Sequence, residues 1–124
     1  MRRFAVGSFF VLHGLAHVPL GLSARAAPDG IAAAFPASLS LALATGLFLV
    51  AASGFFSGGL GRWGVPGLRL VWAPLVRLAV LGSALLVVLF ERPSVWTVLG
   101  LVLDGVALSL AAPERQAGPL RRAA

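Results

Sequence analysis

Residues 70–90 read LVWAPLVRLAVLGSALLVVLF, 21 residues with one charge, Arg77. A helix rises about 1.5 Å per residue, so this stretch covers the roughly 30 Å hydrocarbon core of a bilayer. In hydrocarbon every backbone N–H and C=O must pair within the protein, and a helix achieves this along its own length. A membrane β-strand would alternate apolar and polar residues, and this stretch does not. Pro74 is compatible with a helix if it falls in the first turn, where its missing N–H has no partner to lose.

Three further runs of the same kind lie at residues 4–22, 39–56 and 95–112. Breakers separate them. Pro28, Asp29, Gly30 and Pro36 follow the first run. A glycine-rich stretch with Pro66 follows the second, residues 91–94 with Pro93 follow the third, and Pro113 closes the fourth. The expected fold is all-α, an integral membrane antiparallel four-helix bundle. It forms one domain over residues 1–124, with a short basic tail at 113–124. Residues 58–64 (GGLGRWG) lack the Gly-Lys-Ser/Thr end of a phosphate loop and follow no strand, so they read as a flexible link.

Composition agrees. Of 124 residues, 59% are hydrophobic and 11% charged, whereas soluble domains carry roughly 25% charge. So few charges exclude an ordinary soluble enzyme. The net charge of +6 comes entirely from arginines scattered at the ends of the apolar runs, which is no nucleic-acid signature. With no Cys there is neither a disulfide framework nor a thiolate nucleophile. Arg2, Arg3, Arg62, Arg69, Arg115, Arg121 and Arg122 fall on one side of the expected topology. Arg25 and Arg92, beside Asp29 and Glu91, fall on the other. The positive-inside rule then places both termini in the cytoplasm, and Trp72 and Trp96 at opposite interfaces. The absence of Lys, Asn and Tyr suggests a GC-rich bacterial genome, hence a bacterial inner membrane. Arg2, Arg3, the apolar run and Ala24-Arg25-Ala26 also resemble a secretory signal with its cleavage site. The length of the run, its two His and Pro19 favour a retained helix.

Four ionisable residues fall inside the runs: His13, His17, Arg77 and Asp104. Such groups are costly in hydrocarbon and mark functional sites with partners. His13 and His17 are i and i+4 and share a helix face. Gly7, Gly14 and Gly21 form a ridge on the neighbouring face, where small residues admit a second helix. Thr97, Gly100, Asp104, Ala107 and Ala111 make a small or polar stripe that should face protein. Ala42, Gly46 and Ser53 offer a contact line on the second helix. Pro19 frees the Leu15 carbonyl near the His pair. The expected centre is a network of Asp104 with His13, joined by Arg77 unless that side chain snorkels to the headgroups. The plainer alternative is that Asp104 and the His pair only fix helix packing. Zinc is not predicted: the His pair has zinc-helix spacing without the accompanying Glu, and the third ligand would have to be a carboxylate such as Asp104. Haem is not predicted either, because both His share one face.

Arg3-Phe4-Ala5-Val6-Gly7 followed by Val11-Leu12-His13-Gly14-Leu15 resembles the first helix of DoxX-like proteins, small four-helix bacterial membrane proteins. Where that family commonly has Lys, this chain has His17, and the acid usual early in the second helix is missing from residues 38–42. The chain also resembles a looser group of uncharacterised four-helix proteins with His-Gly-x-x-His in the first helix and Gly-x-x-x-Asp in the last, here His13, Gly14, His17, Gly100 and Asp104. The resemblance to DoxX-like proteins implies quinone- or thiol-linked redox complexes. The expected function is non-enzymatic: binding of a quinone or lipid, or support of a membrane redox partner. The alternatives are a proton-coupled transporter subunit and a structural subunit. Partners would be the bilayer, such a ligand, a redox partner or a second copy, with no nucleic acid.

Overall fold

A computed structural model describes residues 1–26 and 30–112. The expected basic tail, with Arg115, Arg121 and Arg122, lies outside the described residues, as does Asp29. Among these residues four α-helices follow in order: α1 (Arg2–Ala26), α2 (Ala37–Trp63), α3 (Trp72–Phe90) and α4 (Val95–Leu110). Short 3-10 turns at Ile31–Ala34 and Leu68–Leu70 join them, and no strand occurs among the described residues. α1, α2 and α3 are long and apolar enough to cross a membrane. α4 is apolar but holds 16 residues, about 24 Å of helix, rather than the full-length span expected for residues 95–112. The fold is an all-α membrane bundle. α1 packs along α2 and α2 along α3, while α4 rests mainly on α3 and meets α1 over few residues. One seam of the bundle, between α1 and α4, is therefore thinly closed.

The glycine-rich stretch is helix rather than link. α2 continues through it to Trp63 and ends at Gly64, whose φ of 100° is the left-handed conformation that suits glycine. Gly58, Gly59 and Gly61 are buried. A Cβ on Gly59 would stand 2.7 Å from the Gly7 carbonyl oxygen, one on Gly58 would collide with Val76 Cγ2, and one on Gly61 would stand 2.5 Å from the Leu68 carbonyl oxygen. Glycine costs an isolated helix about 1 kcal/mol relative to Ala. In hydrocarbon an unpaired backbone costs more, so the helix persists and the missing side chains serve close approach.

The same logic places the α1 ridge. Gly7 lies against Trp63 and Gly59, Gly14 against Ala52 and Phe55, and Gly21 against Phe48, all on α2. The contact line expected at Ala42, Gly46 and Ser53 is not one: all three are exposed, nothing lies within 4 Å of the Gly46 Cβ position, and the Ser53 hydroxyl donates back to the Leu49 carbonyl. α2 instead meets α3 through Gly54 and Gly58, and α1 through Gly59.

Two apolar clusters fill the interior. Phe10, Phe55, Val76, Ala79, Ala107 and Ala111 form one, towards the end that carries the N-terminus and the α2–α3 loop. Ala32, Ala44, Leu86 and Phe90 form the other, under the 3-10 turn at Ile31–Ala34. Ser40 secures that turn by donating to the Ala32 carbonyl at 2.8 Å. Ser94 and Thr97 form a reciprocal capping box that starts α4. The outer faces remain apolar, with Leu12, Leu49, Leu78, Leu81, Val98 and Val102 exposed, as lipid contact requires.

Candidate ligand site at the bundle centre

Between the two apolar clusters lies a polar layer. His13 and His17 on α1, Ser83 on α3 and Asp104 on α4 are all buried, none more than 7% exposed. Their hydrogen bonds follow from what each atom can do. The His17 Nδ1 lies 2.8 Å from the His13 carbonyl oxygen, which can only accept, so Nδ1 carries a proton. In the neutral ring Nε2 is then an acceptor, and the Ser83 hydroxyl donates to it at 2.6 Å. His13 Nε2 donates to Asp104 Oδ1 at 2.8 Å. The i,i+4 spacing on α1 thus aims one imidazole at α4 and the other at α3. Phe9 stacks on the His13 ring with centroids 5.7 Å apart, and Phe55 meets it edge-on at 4.5 Å. Asp104 Oδ2 is buried and accepts no hydrogen bond from any described residue.

A cavity of about 460 Å³ opens along the thin seam between α1 and α4. Its polar lining comes from His13, His17 and Ser83 and from Glu91, Ser94 and Thr97, and Ala16, Leu20, Val87, Leu99 and Leu103 are among its apolar walls. Trp96 lines it as well. So does Gly100, whose Cβ position has nothing within 4 Å. Expected as a packing glycine, Gly100 keeps a void open instead.

Arg77 does not join the layer. Its guanidinium donates to the Ala111 carbonyl at 2.9 Å and so caps the C-terminus of α4, where a cation also complements the helix dipole. Pro74 sits in the first turn of α3, which brings Arg77 within reach of that end of the bundle. Ser83 is the member the sequence did not single out. Its only signal is a hydroxyl beside Gly82 in the middle of an apolar span, and no periodicity distinguishes that from a serine bonded to its own helix.

The layer supports three kinds of chemistry. It can hydrogen-bond a polar group that enters the cavity. The His13–Asp104 pair can hold a proton and pass it on. One ligand atom from each of His13, His17 and Asp104 also lies within 4.8 Å of the others, a His-His-carboxylate set of the kind zinc accepts. His17 already has the Nδ1-to-carbonyl bond that orients metal-bound imidazoles. A metal would, however, displace both the Ser83–His17 and the His13–Asp104 bonds. No family model, curated protein or solved structure matches this chain.

Proposed function

We propose that this chain is a non-enzymatic multi-pass membrane protein that binds a small amphiphile, a quinone or a lipid, in the seam between α1 and α4. The observation that carries this reading is the cavity itself, with apolar walls, one polar group of His13, His17 and Ser83, and a second of Glu91, Ser94 and Thr97. Its volume lies within the range of small-molecule sites. The Ser83 hydroxyl can turn from His17 to an acceptor in the cavity. With protons on both nitrogens, His13 is an imidazolium balanced by Asp104, and its Nδ1–H becomes a second donor. Two donors at the end of an apolar slot suit the carbonyl of a quinone ring. The resemblance to DoxX-like proteins supports the same direction, a ligand or subunit of a membrane redox complex. The arginine distribution favours cytoplasmic termini in a bacterial inner membrane.

Tryptophan fluorescence in detergent tests this, because Trp96 lines the cavity. A short-chain ubiquinone analogue is expected to quench wild-type emission saturably, with the effect largely lost in Trp96→Phe. Gly100→Phe fills open space and should abolish saturable quenching without lowering the melting temperature. Undiminished binding by Gly100→Phe would show that the ligand sits elsewhere.

Asp104 Oδ2, buried without a partner, favours a second reading, a proton relay through Asp104 and His13. Proton flux into vesicles reconstituted with the wild type should then fall at least tenfold in Asp104→Asn. Equal flux in the two proteins removes that role.

A further inference from the structure

The end of the bundle that carries the N-terminus holds a second cavity, remote in character from the histidine layer. It measures about 470 Å³ and takes residues from all four helices, among them Arg3, Arg62, Trp72 and Arg77. A smaller cavity of about 110 Å³ shares Arg3, Arg62 and Trp72 and adds Arg69. Among the described residues, no carboxylate lines either one. Four arginines converge where the helices end.

These arginines differ in what they already do. Arg77 covers the Ala111 carbonyl and so offsets the negative pole of the α4 dipole, which would otherwise repel an anion. Arg62 lies over the Trp72 ring, 5.0 Å from its centroid, which holds the guanidinium in one orientation. Its Nε is buried and has no acceptor among the described residues. A buried N–H on a charged group without an acceptor is costly and calls for an occupant that supplies one. Trp72, Ala73 and Pro74 bring the first turn of α3, the positive pole of its dipole, to the same cavity. Arg3 and Arg69 are exposed, so their charge reaches the mouth.

We infer that this cavity binds a phosphate-bearing anion, with Arg62 as its oriented fork and Arg3 and Arg69 as its charged rim. The shared chemistry is the phosphate. Its sources are the headgroup of an anionic phospholipid or a free phosphate, and basic pockets between membrane helices at an interface suit the former.

Native mass spectrometry of the full chain released from detergent micelles tests the site. Wild type is expected to retain phosphatidylglycerol in preference to phosphatidylcholine. Arg62→Gln and Arg3→Gln should each lower phosphatidylglycerol retention about fivefold. Arg3→Gln removes an exposed charge without touching the Trp72 contact, so its effect does not depend on packing. Arg92→Gln, at the opposite end, should leave retention unchanged. If millimolar inorganic phosphate displaces the lipid, the site takes free phosphate. If it does not, the lipid headgroup is the occupant. Equal retention of the two lipids by wild type, or unchanged retention in both Arg62→Gln and Arg3→Gln, would overturn the inference.

Discussion

Replacing Gly59 with leucine forces α1 away from α2 and lowers the stability of the bundle by about 3 kcal/mol or more. A Cβ at this position meets the Gly7 carbonyl oxygen at 2.7 Å and Val11 Cγ2 at the same distance. A valine methyl can rotate aside, but a helix backbone cannot, so the whole helix must shift. Lipid gives no hydrophobic drive to re-close a gap between membrane helices, and close packing carries much of their association. Gly46→Leu is the matched control, because its Cβ enters open space on the exposed face of the same helix. Thermal unfolding in detergent, followed by circular dichroism, should show a large drop in midpoint for Gly59→Leu and almost none for Gly46→Leu. Equal midpoints would mean that α1 and α2 are not held by this contact.

The contrast between those two glycines also shows how far the sequence was legible. Hydropathy placed all four helices, because hydrocarbon constrains length and backbone pairing together. The seven-residue ridge Gly7, Gly14, Gly21 was visible because it repeats on one helix face. Residues 58–63 were not visible as helix. In a soluble protein their glycines would end one, and only the facing backbone of Gly7 and the Val76 and Leu68 neighbours on the other side reveal why they do not. Gly46 looked like a packing residue for want of any information about rotation: α2 carries small residues around most of its circumference, and composition alone does not say which face meets a neighbour.

The centre divides the same way. Helix spacing put His13 and His17 on one face, and run midpoints put Asp104 at the depth of His13. The structure joins them at 2.8 Å. Arg77 lay at a similar depth by counting, but a long side chain travels several ångströms along its helix, and it ends on the Ala111 carbonyl. Ser83 required the tertiary structure, because only the second imidazole nitrogen of His17 gives its hydroxyl a distant partner.

Breaking the His13–Asp104 contact from its two sides should have unequal consequences. His13→Leu leaves Asp104, 3% exposed, with neither carboxylate oxygen bonded, since Oδ2 has no partner to begin with. Leaving a buried carboxyl group without its hydrogen-bond partner costs about 1–3 kcal/mol, and more where the group carries charge. Asp104→Val leaves a neutral imidazole with one unmatched nitrogen, a penalty of about 1 kcal/mol. Joining the two substitutions removes the carboxylate that His13→Leu stranded. The double variant should therefore be more stable than His13→Leu alone, with a midpoint close to that of Asp104→Val. Membrane hydrogen bonds average well below 1 kcal/mol in double-mutant cycles, so a purely neutral contact would give near-additive, small effects. Equilibrium unfolding of the four proteins by SDS in mixed micelles separates the cases. Rescue of His13→Leu by Asp104→Val identifies a charge that depends on its imidazole. Additive losses would reduce the pair to ordinary packing and remove the basis for a proton held between α1 and α4.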